Sequence, residues 1–165
     1  MNLSGRTADK LTFAAIYLAV ALFVVWGGRH TMEYARDAVF YRDYLMSWEV
    51  QLTAMRYRAV QWPHLSAGNP VDYMQEVVRL MRINGLEPPP SNTADAFIYR
   101  LNAFGSGDYN LLLVFRDSQI VLYGLPRETF DRLDKFIDGR VDSQQGAFTG
   151  RWSVDQVTRI GHWKI

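Results

Sequence analysis

The chain has 165 residues, the length of one ordinary domain. Its 18 basic and 17 acidic residues leave a formal charge of +1, which gives no electrostatic case for nucleic acid, whose binding needs a basic face to displace counterions. Cysteine is absent, so a disulfide framework, a thiolate metal site and a cysteine nucleophile are excluded.

Residues 1–10 make a short polar tail that ends in Lys10. From Leu11 to Gly28 the run LTFAAIYLAVALFVVWGG carries no charge. As an α-helix it spans about 27 Å, close to the roughly 30 Å of a bilayer's hydrocarbon core. A helix satisfies its own backbone hydrogen bonds, which lipid cannot do. Lys10 and Arg29 bracket the run, and Tyr17 and Trp26 are spaced for the two membrane interfaces. Two other readings compete. A cleaved export signal needs small residues at its end, yet Ala19-Val20-Ala21 is followed by LFVVW, and no small-x-small site follows Gly28. A buried core helix would carry a polar stripe, and only Thr12 and Tyr17 interrupt this one. The expectation is a retained transmembrane helix over 11–28. The Lys/Arg count on the two flanks does not decide its orientation. A ten-residue tail before a single span favours a cytoplasmic tail with the remainder outside.

Residues 29–63 continue as a predicted stalk helix, since no Pro or Gly falls between His30 and Trp62. Tyr34, Ala38, Tyr41, Leu45, Trp48, Leu52, Met55, Ala59 and Trp62 follow steps of four and three, the a/d spacing of a heptad seam. The expected role of Tyr34, Ala38, Tyr41, Leu45, Trp48, Leu52 and Met55 is to pair with a partner helix. The stretch from Trp48 onward has packing on the chain's own domain as its alternative. Pro63 is expected to end the helix.

Residues 64–165 read as an α+β domain. Asn69 suits an N-cap with Pro70 at the first helical position, and Gly85 suits the left-handed C-cap, so a helix is predicted over 70–84. AFIYRLNAF, YNLLLVFR and QIVLYG then read as strands, the second apolar on both faces and therefore central. LPRETFDRLDKFID is an amphipathic helix that Gly139 closes, with Phe130, Leu133, Phe136 and Ile137 inward. GAFTGRWSV and VTRIGHWKI are two further strands. The order helix, strands, helix, strands predicts a small antiparallel sheet with helices on one face, in a ferredoxin-like arrangement.

No catalytic, cofactor-binding or metal-binding set emerges. His30, His64 and His162 lie far apart, at the membrane edge, in a loop and in the last strand, and none has a partner at ligand spacing. GSG at 105–107 precedes a strand, whereas a phosphate cradle needs a helix N-terminus behind it. Asp131, Asp134 and Asp138 read as a solvated helix face. The EPPP stretch reads as a stiff connector, and GHWKI as an end that closes a sheet or docks a partner.

A short tail, one span, a heptad helix and a duplicated helix-strand-strand domain resemble the bitopic inner-membrane platform proteins of type II secretion and type IV pilus machines. LYGLPRETFDRLDKFID is similar to the strand-glycine-helix passage of their second repeat, where Gly124 would end a strand and Phe130, Leu133 and Phe136 would dock the helix. The resemblance implies a bacterial inner-membrane protein with one span and a periplasmic C-terminal domain. It implies a non-enzymatic assembly subunit whose partners are membrane lipid and other anchored proteins, as a homo- or hetero-oligomer, with no cofactor and no nucleic acid. Two alternatives stand beside it. One is an anchored ligand-binding or sensory domain, with Tyr99, Tyr109 and Tyr123 lining a pocket between sheet and stalk. The other is a pilin-like subunit, although Gly5 is followed by RTADK rather than by the apolar run that a pilin leader needs.

Overall fold

Helix α1 (Gly5–Val39) takes in the whole uncharged run, whose apolar content and lack of proline outweigh Gly27 and Gly28. The computed structural model describes residues 5–63, 69–103 and 107–165. The expectations for residues 1–4, for the loop that carries His64, and for Gly105 and Ser106 lie outside them. Near the N-terminus the helix is long and apolar enough to cross a membrane, and none of its apolar window is buried. The chain divides into two compact units, Met1–Ala35 and Arg36–Ile165.

In the second unit the helix does not run on as a regular α-helix. Phe40–Leu45 wind as one stretch of π-helix, and α2 follows over Met46–Tyr57. A π-turn inserts one extra residue into the ladder. Up to and into the π-turn the buried positions are Glu33, Asp37, Phe40 and Tyr44; from its last residue onward they are Leu45, Trp48, Leu52 and Met55. The second set is displaced by one residue from the phase of the first. Helix α2 ends at Tyr57, ahead of Pro63. Ala59 takes the left-handed conformation (φ 51°), and the Val60 N–H reaches back to the Met55 carbonyl. That is a Schellman ending with alanine where glycine is usual. Helix α3 (Pro70–Ile83) starts as expected: the Asn69 side chain accepts from the Val71 N–H at 3.1 Å, with Pro70 at the first position. Its end repeats the Schellman pattern with Gly85 (φ 68°) and a Leu86 N–H to Met81 carbonyl bond of 2.9 Å.

The strands are β1 (Ile98–Ala103), β2 (Gly107–Arg116), β3 (Gln119–Pro126), β4 (Phe148–Trp152) and β5 (Thr158–Lys164), with α4 (Arg127–Asp138) between β3 and β4. They form one five-stranded sheet in the order β1-β2-β3-β5-β4, and every neighbouring pair is antiparallel. The β2–β3 hairpin turns on Asp117 and Ser118, both with positive φ, the type I′ geometry that matches strand twist. Strand β3 does not stop at Gly124. A bulge between Leu122 and Leu125 absorbs one residue and the strand continues to Pro126. Gly124 sits in that bulge with φ 83°, and a Cβ there would stand 2.8 Å from the Asn110 carbonyl oxygen. Only glycine fits both demands.

Register sorts the side chains. Tyr99, Leu111, Leu113, Phe115, Ile120, Leu122, Trp163 and Phe148 occupy one face, because opposed residues in an antiparallel pair share a side. Onto it pack the rings of Phe40 and Tyr44 against Tyr99, Trp62 against Phe115, Tyr41 against Trp163, and Phe130 against Phe148. These contacts build the core from aromatic side chains of large buried area. Trp163 of GHWKI closes the sheet in this way, and its flanking Lys164 N–H bonds to the Ala147 carbonyl.

Candidate functional site

The residues expected at a membrane interface all stay exposed in the first unit. Tyr17 is 73% and Trp26 66% accessible, and Lys10 and Arg29 are exposed as well. Trp26 stacks on His30 with ring centroids 6.1 Å apart, and Arg29 Nε donates to Glu33 Oε1 at 2.9 Å across one helical turn. Aromatic and basic side chains grouped just past an apolar run suit a headgroup zone.

The seam divides at the π-turn. Leu45, Trp48, Leu52 and Met55 are wholly buried in the core of their own unit, so their packing is intramolecular. Tyr41 is half-buried between Phe136 (5.7 Å) and Trp163 (6.1 Å). Ala38 is half-buried and Tyr34 is exposed. As far as the first residue of the π-turn the buried positions are Glu33, Asp37 and Phe40, one residue ahead of Tyr34, Ala38 and Tyr41. Ala59 and Trp62 lie beyond the helix.

Asp37 anchors an ionic cluster that the sequence does not announce. Its carboxylate is fully buried and accepts from Arg132 Nη1 at 2.7 Å and from Arg36 Nη2 at 2.8 Å. Arg36 also donates to the Asn102 carbonyl, and Arg132 to Glu128 at 3.3 Å. One carboxylate thereby ties the π-turn's approach to α4 and β1. Its role is structural: every donor is an arginine, which stays protonated and moves no proton. A polar residue inside an apolar phase gives no sequence signal for this.

Of the three α4 aspartates read as a solvated face, Asp131 and Asp138 are half-buried and Asp134 is not solvated at all. Asp134 is fully buried and its Oδ2 accepts the Asp142 N–H at 2.7 Å, while Oδ1 has no hydrogen-bond partner among the described residues. Burial raises the Asp134 pKa, and Asp138, Asp142 and Asp131 add to the rise. Asp138 accepts the N–H groups of Ala147 and Phe148, both at 2.9 Å. Both carboxylates satisfy the backbone of the loop leading into β4, which is why they point inward. On β5, Arg159 lies 4.7 Å from the centroids of both Phe130 and Trp152, a cation held between two rings. Among the described residues no group of three or more His, Asp or Glu side chains is placed to hold a metal ion.

The three tyrosines proposed to line one pocket do not share a face. Tyr99 is opposite Leu111 and Tyr123 is opposite Leu112, so the two project to opposite sides of the sheet. The rings of Phe40 and Tyr44 already fill the space over Tyr99, at 4.8 and 4.7 Å. Burial raises the pKa of Tyr44, whose hydroxyl donates to the Ala96 carbonyl at 2.9 Å. His162 on β5 is half-buried, and burial, then the Arg151 charge, lowers its pKa. Compared with known proteins, the chain matches no family model, no curated protein and no solved structure.

Proposed function

We propose that the chain is a non-enzymatic, membrane-anchored assembly subunit of a cell-envelope complex. The observation that carries this reading is the uncharged window of α1, none of which is buried within the structure. Water is a poor solvent for so much continuous apolar surface, and lipid is a good one. Tyr17, Trp26, Lys10 and Arg29 then serve as interfacial anchors. The chain sits in a bacterial inner membrane with one span, a cytoplasmic tail and the α+β unit in the periplasm. Membrane lipid and neighbouring anchored proteins are the partners in this reading, which makes the chain part of a homo- or hetero-oligomer.

Kinship with the platform proteins of type II secretion and type IV pilus machines draws support from the sheet. A ferredoxin-like sandwich whose chain begins at a helix has the order first-second-fourth-third, all antiparallel. Strands β2-β3-β5-β4 follow that order, with β1 added at the edge.

Alkaline carbonate extraction of native membranes tests the anchor. The wild-type chain should stay in the pellet with an intact mass that includes residues 1–35. Leu18→Arg with Leu22→Arg should release it, because each central arginine costs about 2.5–3.5 kcal/mol on the insertion scale. A wild-type chain recovered in the supernatant, or one that has lost its first 28 residues, refutes the anchor.

A further inference from the structure

We infer that the second face of the sheet docks an acidic, amphipathic helix of a partner protein. The inference rests on the assembly role proposed above for there being a partner, and on the sheet alone for its chemistry. Alternation places Ile98, Leu112, Tyr123 and Ile160 in one row of this face, and Val114, Val121 and His162 in the next. A solvated face of an antiparallel sheet is normally polar. Here its centre is apolar: Val114 and Val121 are buried, Ile98, Leu112 and Ile160 are half-buried, and Tyr123 stays 39% exposed. The helix-to-sheet ring contacts described above all fall on the other face.

Charge selects the occupant. The strands put Arg100, Arg116, Arg151 and Lys164 around those rows, against one carboxylate, Asp108, although the chain as a whole is nearly neutral. Arg116 pairs with Asp117 at 2.8 Å. Arg100, Arg151 and Lys164 have no ion-pair partner among the described residues. An isologous dimer through this face would set these cations against their own copies, which opposes association. A bilayer is flat, whereas strands rotate by about 20–25° from one to the next, so a five-stranded sheet meets a plane along one diagonal only. A helix lies along such a diagonal. Four inter-strand steps make a width of about 19 Å, so a helix crossing on the diagonal needs upward of roughly 13 residues.

Strand addition at the edges is the other route to a sheet, and groups of the chain itself already occupy positions on both edges. On β1 the Asn92 side chain accepts the Arg100 N–H at 2.8 Å and donates to its carbonyl at 2.7 Å, and Thr93 donates to the Ile98 carbonyl. On β4 the Phe148 and Gly150 N–H groups bond to Asp138 and to the Ser143 carbonyl. The partner therefore meets a face, with apolar side chains inward and carboxylates at its flanks.

The test is photocrosslinking of the full chain in its native membranes, with p-benzoylphenylalanine at position 123 and, as control, at the fully exposed position 154. Position 123 should give an adduct whose mapped peptide has apolar residues at three- and four-residue spacing and flanking Asp or Glu. The adduct should fall at least tenfold with Arg100→Glu plus Arg151→Glu, and in the unsubstituted background its yield should fall as salt rises. The salt series decides the matter if the double variant does not fold. An adduct with lipid, with a second copy or with a non-acidic segment overturns the inference, as does a yield no higher than at position 154 or insensitive to salt. Carbonate extraction of the same samples separates the two readings: retention without the adduct removes the docking face alone.

Discussion

Asp134 shows how a single side chain can be placed at a cost. Its buried carboxyl satisfies one backbone N–H through Oδ2 and leaves Oδ1 without a partner. The raised pKa means that the folded chain binds this proton more tightly than the unfolded chain, whose aspartates titrate near about 3.9. The protonated form's contribution to stability is complete below that unfolded value. It is lost as pH rises through the higher folded value, so at pH 7 the ionised, buried group opposes folding. Asp134→Asn keeps an acceptor for the Asp142 N–H and removes the charge. It should stabilise the full chain by about 1 kcal/mol at pH 7, with the gain shrinking toward pH 4, as read by urea unfolding in detergent micelles. A variant less stable at pH 7, with the pH slope unchanged, would show that the charge is compensated. Asp37 is the contrasting case: it is equally buried, yet two guanidinium groups contact it. Pairing of this kind is what a buried charge requires.

Among the elements, the π-turn at Phe40–Leu45 has the largest consequence. It lets one continuous helical path present Asp37 and Phe40 on one side of the turn and Leu45, Trp48, Leu52 and Met55 on the other, all inward. Deleting Arg42, an exposed residue of the turn, would restore a plain α-helix and rotate one of these sets by about 100°. Either Arg132 loses Asp37 or Trp48 leaves the core. The deletion should therefore cost about 3 kcal/mol or more, by analogy with breaking a buried ion pair. Arg42→Ala should stay within about 0.5 kcal/mol, as exposed surface changes do. Chemical denaturation of both variants distinguishes them, and a deletion as mild as the alanine change would mean that the phase shift carries no packing. The same turn explains why burial follows the seam's spacing from Leu45 to Met55 and runs one residue ahead of Tyr34, Ala38 and Tyr41: period counting assumes an uninterrupted helix. Asn69-Pro70, Gly85 and Gly139 mark their helix ends because each supplies a cap that backbone geometry demands. Ala59 takes the left-handed cap with no glycine to advertise it, so the end at Tyr57 was hidden behind Pro63. Strand positions were readable from alternation, while the bulge at Gly124 resembled a strand end, since glycine marks both.

At the scale of the molecule, the proposed anchor assigns the two units different solvents. The unit Arg36–Ile165 is held by an aromatic core that water drives together, whereas the apolar window within Met1–Ala35 has no buried side chain. If lipid is the solvent of the first unit, its stability comes from its own backbone hydrogen bonds and apolar surface, with no debt to the second. Trp48 tests this separation, being fully buried in the core of the second unit. Trp48→Ala should cost that unit about 3–5 kcal/mol, a large share of the roughly 5–15 kcal/mol that holds a domain together. Limited proteolysis of the full chain in membranes should then degrade residues 36–165 much faster than in the wild type. Carbonate extraction of the undigested variant should still leave it in the pellet. Release of the intact variant into the supernatant would mean that the folded unit holds the chain at the membrane, and the helix over residues 11–28 would lose its role as the anchor.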